Sequence, residues 1–219
     1  MTKNTGGSGQ AAIGVSAHLG WAAIAVVEAS KRGLRVLVSG RIETADPDDR
    51  EALEPYHVAG GFEGLDRVPR PPDPAAAVAR GLRKQRRHTA LALAGVEKRL
   101  ARGGHSLGCA GILVSRGRGA DDLEKAIGSH TQIHIEEGLA VRDSLRRALE
   151  KSCGCVVDVD QKTVVAIAAR ELAMREAALL AALEAAPPED GGPWRKEEKT
   201  AALAAWIAWA RRGRRPRTA

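Results

Sequence analysis

The densest group of polar side chains lies in SHTQIHIEEGLAVRDSL, residues 129–145. Imidazole, carboxylate and guanidinium groups in one short segment could serve as a general acid or base, as metal ligands or as an anion-binding site. The candidate catalytic side chains are His134, Glu136, Glu137 and Asp143, and the candidate ligand-binding side chains are His130 and Arg142. These residue types make the segment the first candidate for a functional site.

Two interpretations of this segment stay open. In the first, residues 131–135 are a brief strand or extended link, and Glu137 opens a helix whose dipole it complements. In the second, His134 and Glu137 act as acid, base or ligands in a pocket, where Arg142 binds an anion. His130, His134 and Glu137 offer zinc-type ligands, but the H-E-x-x-H pattern is absent, and we predict no metal site.

The segment VDVDQK, residues 157–162, places two carboxylates on one face at the end of a predicted strand. Strand ends of this kind line binding clefts in α/β sheets. Asp158 is therefore a further candidate catalytic acid. Asp160 is expected to cap the next helix.

The Gly-rich segment SRGRGADD, residues 115–122, predicts a loop that leads into a helix. Backbone amides at a helix start, together with Arg116 and Arg118, could cradle a phosphate. The G-x-x-x-x-G-K-[ST] spacing of a P-loop is missing. The alternative is a plain loop in which Asp121 and Asp122 cap the helix.

The chain is basic, with a net charge of +7, and its basic residues are clustered. Residues 80–88 read RGLRKQRRH and residues 211–217 read RRGRRPR. The candidate nucleic-acid contacts are Arg83, Lys84, Arg86 and Arg87, with Arg116 and Arg118 in the Gly-rich loop. Such clusters either bind the phosphate backbone of a nucleic acid or form a solvated face.

Cysteine content and apolar segments indicate a cytoplasmic protein. The three cysteines do not make a disulfide framework, which fits a reducing compartment. Residues 11–27 are apolar, but polar residues and glycines interrupt them, and they fall short of the ~20 residues of a membrane-spanning helix. We therefore expect no membrane partner.

The first third of the chain predicts an antiparallel meander followed by a long loop. AAIGVSAH, WAAIAVVEA and LRVLVSGRIE are apolar or alternating runs separated by short turns, as in strands at hairpin spacing. Residues 44–73 are rich in proline and predict a long loop with a short strand at 55–61. In that loop Tyr56 and His57 could lie over the sheet as a lid.

The rest of the chain alternates between helices and strands. We predict helices from 73–74 to 103–104, after 121–122, at 138–151, at 161–185 and at 196–212, and strands at 106–115 and 153–160. A meander followed by such alternation indicates an α/β fold with a mixed sheet of about five strands, antiparallel first and parallel later, flanked by helices.

Changes in composition predict the domain organisation. Residues 1–10 are Gly-rich and are expected to be a flexible start, and residues 11–186 form an α/β domain. A Pro- and Gly-rich linker at 187–194 precedes a helix at 195–212 that packs on the domain. Residues 213–219 form a basic tail.

Three segments give the chain a resemblance to the ribonuclease-H-like fold and, within it, to the RuvC-type Holliday-junction resolvases. IGVSAHLGWAAIAVV (13–27) resembles the first hairpin of that family, GILVS (111–115) its fourth strand, and KTAALAAWIA (199–208) its last helix. The resemblance covers most of residues 12–210, and no single motif in it is specific. It implies a ribonuclease-H-like sheet whose active site holds two magnesium ions between carboxylates.

The resemblance puts hydroxyl groups where that family carries its catalytic carboxylates. The family's first Asp falls on Ser16, its Glu on Ser115 and its last Asp on Thr200. Neutral hydroxyls do not supply the negative charge that two divalent ions require. We therefore expect these hydroxyls to lie close together in a metal-free binding site, with His18 as a further ligand-binding residue.

Three functions from different classes are compatible with these features. The one we favour is a ribonuclease-H-like pseudo-enzyme that lacks two-metal nuclease activity, needs no cofactor, and binds nucleic acid or a protein partner. The alternative is an active nuclease or hydrolase that uses magnesium or manganese at a relocated acidic and histidine site around residues 130–143 and 158. The third is a homodimeric scaffold without a ligand. The sequence leaves open whether the chain is an enzyme.

Overall fold

The chain folds around a five-stranded mixed sheet, seen in a computed structural model that describes residues 9–30, 33–115 and 117–212. In chain order the strands are β1 (Gly9–His18), β2 (Trp21–Ser30), β3 (Gly33–Glu43), β4 (Phe62–Glu63), β5 (Asp66–Arg67), β6 (His105–Val114) and β7 (Val156–Asp160). The order in the main sheet is β3-β2-β1-β6-β7, and β4 pairs with β5 in a separate hairpin.

Helices connect and cover these strands. They are α1 (Arg50–Leu53), α2 (Pro55–Gly60), α3 (Pro74–Arg102), α4 (Leu123–Ala126), α5 (His130–Ser152), α6 (Val164–Leu172), α7 (Glu176–Glu184) and α8 (Lys196–Arg211). The predicted bounds of α3 are confirmed, since the Asp73 carboxylate accepts from the Ala76 N–H at 2.9 Å and Gly103 ends the helix. Within the described residues, no helix combines the length and apolarity needed to cross a membrane.

The strand directions confirm the predicted sheet. β1 pairs antiparallel with β2, and β2 with β3, whereas β1 pairs parallel with β6, and β6 with β7. Short turns join antiparallel neighbours, and a parallel neighbour needs a long crossover, which α3 supplies before β6. The chain therefore has the mixed sheet, antiparallel first and parallel later, that its sequence predicts.

Helices lie on both faces of the sheet. Alternate residues of β1 serve the two faces, so Ala12 and Gly14 contact α8 while Ile13 and Val15 contact the α3 and α5 side. A Cβ atom at Gly14 would collide with the carbonyl oxygen of Ala201, so glycine allows α8 to lie directly on the strand.

Residues 50–60 form two short helices, so the strand predicted at 55–61 is wrong. Pro55 occupies the first turn of α2, and Gly61 ends the helix in a left-handed conformation with φ of 69°. α2 packs closely on α5, since a Cβ atom at Gly60 would lie 2.8 Å from the Ile133 side chain. A helix this short shows no helical repeat in its sequence and depends on tertiary contacts for stability.

α5 begins at His130, so the strand or extended link predicted at 131–135 is wrong. The Ser129 hydroxyl caps the helix by accepting from the Gln132 N–H at 3.2 Å. Ile133 is fully buried in a cluster with residues of α2, and this burial outweighs the strand preference of β-branched residues. His130 and His134 therefore lie one helical turn apart on one face.

The helix predicted at 161–185 is two helices, α6 and α7. Ala173 ends α6 in a left-handed conformation with φ of 54°, which alanine rarely adopts and which no glycine or proline signals in advance. Both helices bury leucines, Leu172 and Leu179, in the cluster that contains α8. Asp160 is not the cap of α6, because Thr163 occupies that position.

Candidate functional site

A cleft lies at the edge of the sheet where the parallel strands β1, β6 and β7 end. It encloses a cavity of ≈ 420 Å³ that is closed on one side by the first turns of α5. Its polar lining residues are Ser115, Thr131, His134, Arg142 and Gln161. No carboxylate among the described residues lines it. Carboxyl ends of parallel strands are the usual position of a binding site in such sheets.

Ser16 and Thr200 lie on neighbouring elements. Ser16 is 4% exposed and faces α8, as Gly14 does two residues earlier. His18, two residues later, approaches Glu197 of α8, so the turn that carries Thr200 runs beside Ser16. The Thr200 hydroxyl donates to a carbonyl of its own helix at 2.6 Å. Ser16 is therefore covered by α8, Thr200 lies on α8 itself, and neither residue lines the cleft cavity.

His18 is held by aromatic and charged neighbours. Its ring stacks on Trp21 with centroids 4.0 Å apart and planes 8° apart. Its Nε2 atom lies 3.7 Å from a carboxylate oxygen of Glu197. The predicted ligand-binding histidine thus packs against Trp21 and lies close to α8, and its buried Nε2 atom has no hydrogen-bond partner in the described part of the chain.

Arg142 is the arginine among the described residues that line the cleft. Its Nη1 atom donates to the Ser115 hydroxyl oxygen at 2.8 Å. Burial lowers the pKa of Arg142, and the carboxylate of Asp158 acts in the opposite direction. Asp158 itself pairs with Arg146, and within the described residues no carboxylate pairs with Arg142. A half-buried guanidinium without a carboxylate partner can donate to an anionic ligand.

Glu136 forms a hydrogen bond with the Gly-rich loop that precedes α4 and α5. Its Oε1 atom accepts from the Ala120 N–H at 2.6 Å and from the Gln132 amide at 2.7 Å. The carboxylate is 8% exposed and holds the end of the Gly-rich loop against α5. These hydrogen bonds therefore indicate a structural role for Glu136.

Two other predicted carboxylates, Asp143 and Asp158, are paired with arginines. Asp143 accepts from Arg86 at 2.9 Å and from Arg147 at 2.8 Å, and Asp158 pairs with Arg146. Within the described residues, no three carboxylates come close enough to share a metal ion. The structure thus does not bring together the predicted acidic residues.

Glu137 is fixed between α5 and the start of α2. Its Oε1 atom accepts from the backbone N–H groups of Tyr56 and His57, at 2.8 and 3.1 Å, and lies 3.3 Å from His57 Nδ1. Burial raises the pKa of Glu137, and its hydrogen bonds from His57 and Tyr56 oppose that rise. The predicted helix-opening residue instead lies inside α5 and caps a different helix.

Three histidines meet where α2 contacts α5. His57 is buried, His130 is half-buried and His134 is exposed, and one ring nitrogen of each lies within 4.8 Å of the other two. Burial lowers the pKa of His134, and the neighbouring rings His57 and His130 add to this. The sequence singles out His57 only as a possible lid residue and does not group it with His130 and His134, because it lies more than seventy residues from them and no spacing pattern connects them.

The predicted basic face of α3 is partly neutralised. Lys84 lies 2.9 Å from both Asp49 and Glu51. Arg83 and Arg87 are exposed, and in the described part of the chain they have no carboxylate partner. The helix therefore presents two arginines to solvent while Lys84 holds α1 in place.

The remaining predicted contacts lie in the Gly-rich loop. Arg118 is exposed, and its carbonyl oxygen lies 3.5 Å from the Gln132 amide nitrogen. Arg116 and the basic tail at 213–219 lie outside the described residues. Asp122 caps α4 by accepting from the Lys125 N–H at 2.8 Å, as predicted for this segment.

A larger cavity, ≈ 590 Å³, lies at the opposite edge of the sheet, beside Gln10 and Trp209. Two of its charged lining residues are paired, because Arg35 donates to Glu28 at 2.6 Å and also to Glu189 at 2.8 Å. The third, Arg212, is exposed and lies over the Trp209 ring. Among the described residues that line this cavity, no cation is half-buried without a carboxylate, as Arg142 is. The cleft at the carboxyl edge is therefore the better candidate.

No family model matches the sequence, and no curated protein matches it. Solved structures resemble it. One is the Thermus thermophilus RuvC structure, with 11% sequence identity, a TM-score of 0.48, and coverage of 92% of this chain and 95% of that chain. Another is T. thermophilus RuvC in complex with Holliday junction substrate, with 11% identity, a TM-score of 0.47, and coverage of 92% and 94%. Both likenesses concern the fold alone.

Proposed function

We propose that this chain is a ribonuclease-H-like domain that binds a phosphate group of nucleic acid in the carboxyl-edge cleft and does not perform two-metal cleavage. One observation carries the proposal. Arg142 is half-buried at a cavity of ≈ 420 Å³ and has no carboxylate partner in the described part of the chain. Its position favours an anionic ligand.

The chemistry of the cleft suits a phosphate oxygen. A guanidinium presents several N–H donors in one plane, which match the oxygens of a phosphate. Ser115, Thr131 and Gln161 line the same cavity with groups that donate neutral hydrogen bonds. No described carboxylate lines the cavity, so an anion there would meet no acidic side chain of the described lining.

Loss of metal-dependent cleavage follows from the same composition. Magnesium binds oxygen ligands and needs carboxylates to offset its lost hydration. The positions that match the family's carboxylates are Ser16, Ser115 and Thr200. The alternative, an acidic site relocated to 136–143 and 158, has less support because those carboxylates are bonded to separate partners.

Nucleic acid is favoured over a small anion because of the charge of the whole chain. The net charge is +7, and Arg83, Arg87 and Arg118 add exposed cations outside the cleft. An extended row of phosphates can contact several such groups at once. A small anion in the cleft would contact one described arginine, Arg142.

Fluorescence anisotropy with labelled linear duplex and four-way-junction DNA tests the proposal. We expect Arg142→Gln to weaken binding about 10- to 100-fold, the range for losing a charged hydrogen bond. Arg102→Gln is the matched control, since Arg102 is exposed beside the start of β6, about 30 Å along that strand from the cleft. Equal affinities of the two variants, or magnesium-dependent cleavage by wild type, would refute the proposal.

A further inference from the structure

His57, His130 and His134 form a cluster that the phosphate-binding function does not use. His130 and His134 lie one turn apart at the start of α5, and His57 comes from α2. Their ring centroids are 4.4, 4.9 and 5.2 Å apart. Close contact between Gly60 and Ile133 fixes α2 against α5, so the three rings are held together by the fold.

We propose that these three imidazoles bind one zinc ion. Zinc–nitrogen bonds of 2.0–2.1 Å in a tetrahedron place ligand nitrogens about 3.3 Å apart. The three ring nitrogens already lie within 4.8 Å of one another. Small rotations of the less buried His130 and His134 side chains close the remaining difference.

Glu137 contacts His57 on the side of the ring away from the proposed ion. Its Oε1 atom lies 3.3 Å from His57 Nδ1, so a proton on Nδ1 leaves Nε2 of His57 free for the metal. A histidine ligand that donates its other N–H to a carboxylate is the usual arrangement around protein-bound zinc. Glu137 is 1% exposed, and its Oε2 atom is buried without a partner in the described part of the chain. The carboxylate is therefore placed to offset the charge of a cation beside it.

The ligand set selects the class of metal. Imidazole nitrogens suit zinc and other late first-row ions, whereas magnesium and calcium prefer oxygen ligands. Three protein ligands leave the fourth tetrahedral position open. His134 also lines the cleft that contains Arg142, so the ion lies at the wall of that cleft.

Calorimetric titration of zinc into the metal-stripped full chain, without nucleic acid, tests this inference separately from the cleft proposal. We expect one equivalent of zinc to bind wild type. Affinity should fall at least about 100-fold in His130→Ala and His134→Ala, more than the 10–100-fold effect of outer-shell changes. His88→Ala, a histidine of α3 outside the cluster, is the matched control and should bind like wild type.

Cobalt and an outer-shell variant sharpen the test. Cobalt should give the visible spectrum of a tetrahedral nitrogen-ligated ion in wild type and in His88→Ala. Glu137→Gln, checked for folding by circular dichroism, should bind zinc about 10- to 100-fold more weakly. Unchanged zinc affinity in both His130→Ala and His134→Ala, or a thiolate-to-cobalt band that assigns the ion to cysteine, would overturn the inference.

Discussion

At the scale of single residues, the proposed function depends on hydroxyl groups at positions where the resemblance places carboxylates. The resemblance puts a Glu at position 115, where this chain has Ser115. Ser115 accepts a hydrogen bond from Arg142 at 2.8 Å, so a carboxylate in its place would pair with that guanidinium. A serine leaves the positive charge available for a ligand. The same exchange removes a magnesium ligand, and the proposed function rests on this loss of negative charge.

We predict that magnesium does not bind at Ser16 and that the hydroxyl contributes little to stability. Ser16→Ala should lower the free energy of unfolding by at most one hydrogen bond, about 0.5–1.5 kcal/mol. Chemical denaturation measures that change, and calorimetry measures magnesium binding to both proteins. Tight, stoichiometric magnesium binding by wild type that disappears in Ser16→Ala would contradict the charge argument.

At the scale of elements, the contact between α8 and the sheet positions one side of the fold. α8 is rich in alanine, and the strands beneath it carry Gly14 and Gly111. A Cβ atom at either glycine would collide with a carbonyl oxygen of α8, at Ala201 or Ala204. Close approach of helix and strands therefore depends on two residues without side chains.

Gly14→Ala is expected to destabilise the protein by about 3 kcal/mol, because backbone atoms of α8 must move to admit the methyl group. Gly95→Ala is the control, since Gly95 lies inside α3 with no atom within 4 Å of an added Cβ. That change should stabilise the protein by about 0.5–1 kcal/mol through helix propensity. Denaturant unfolding measures both, and a Gly14→Ala protein as stable as wild type would show that α8 shifts freely.

At the scale of the whole molecule, the net charge is +7, and only some of the basic side chains are free of a carboxylate partner in the described part of the chain. Lys84 is paired with two carboxylates and Arg86 with Asp143, at 2.9 Å in each case. Arg83 and Arg87 on the same helix are exposed and have no carboxylate partner in the described part of the chain. The sequence predicts all four as nucleic-acid contacts, and their surroundings now separate them into two pairs.

Two double variants that remove equal charge compare these pairs. Arg83→Ala with Arg87→Ala should weaken DNA binding on every sequence and lower the salt slope of log affinity by about one for each phosphate that is no longer neutralised. Lys84→Ala with Arg86→Ala should weaken DNA binding less, since both side chains are already committed to carboxylates. Anisotropy over a range of salt concentrations measures both effects. A larger decrease in affinity in the second double variant would assign the DNA-binding surface to the paired residues.

The sequence by itself determined the elements whose signals are local. Alternating and apolar runs marked the three strands of the meander, and Asp73 and Gly103 marked the ends of α3. The order of these elements predicted the mixed sheet because hairpins return the chain and helical crossovers keep its direction. The hydroxyls Ser16, Ser115 and Thr200 were visible for the same reason, since each belongs to a short recognisable segment.

Only the tertiary structure decided what depends on segments that are distant in the chain. Burial of Ile133 against α2 makes residues 130–137 helical, and that helix puts His130 and His134 beside His57. Each candidate carboxylate also has a bonding partner on another segment of the chain. The residue types and spacing in the sequence therefore predict a tighter group of carboxylates than the structure contains. The left-handed conformation at Ala173 has no local signal either. In each case the free energy of contacts between elements outweighs the preference of the local sequence, and a linear pattern does not contain those contacts.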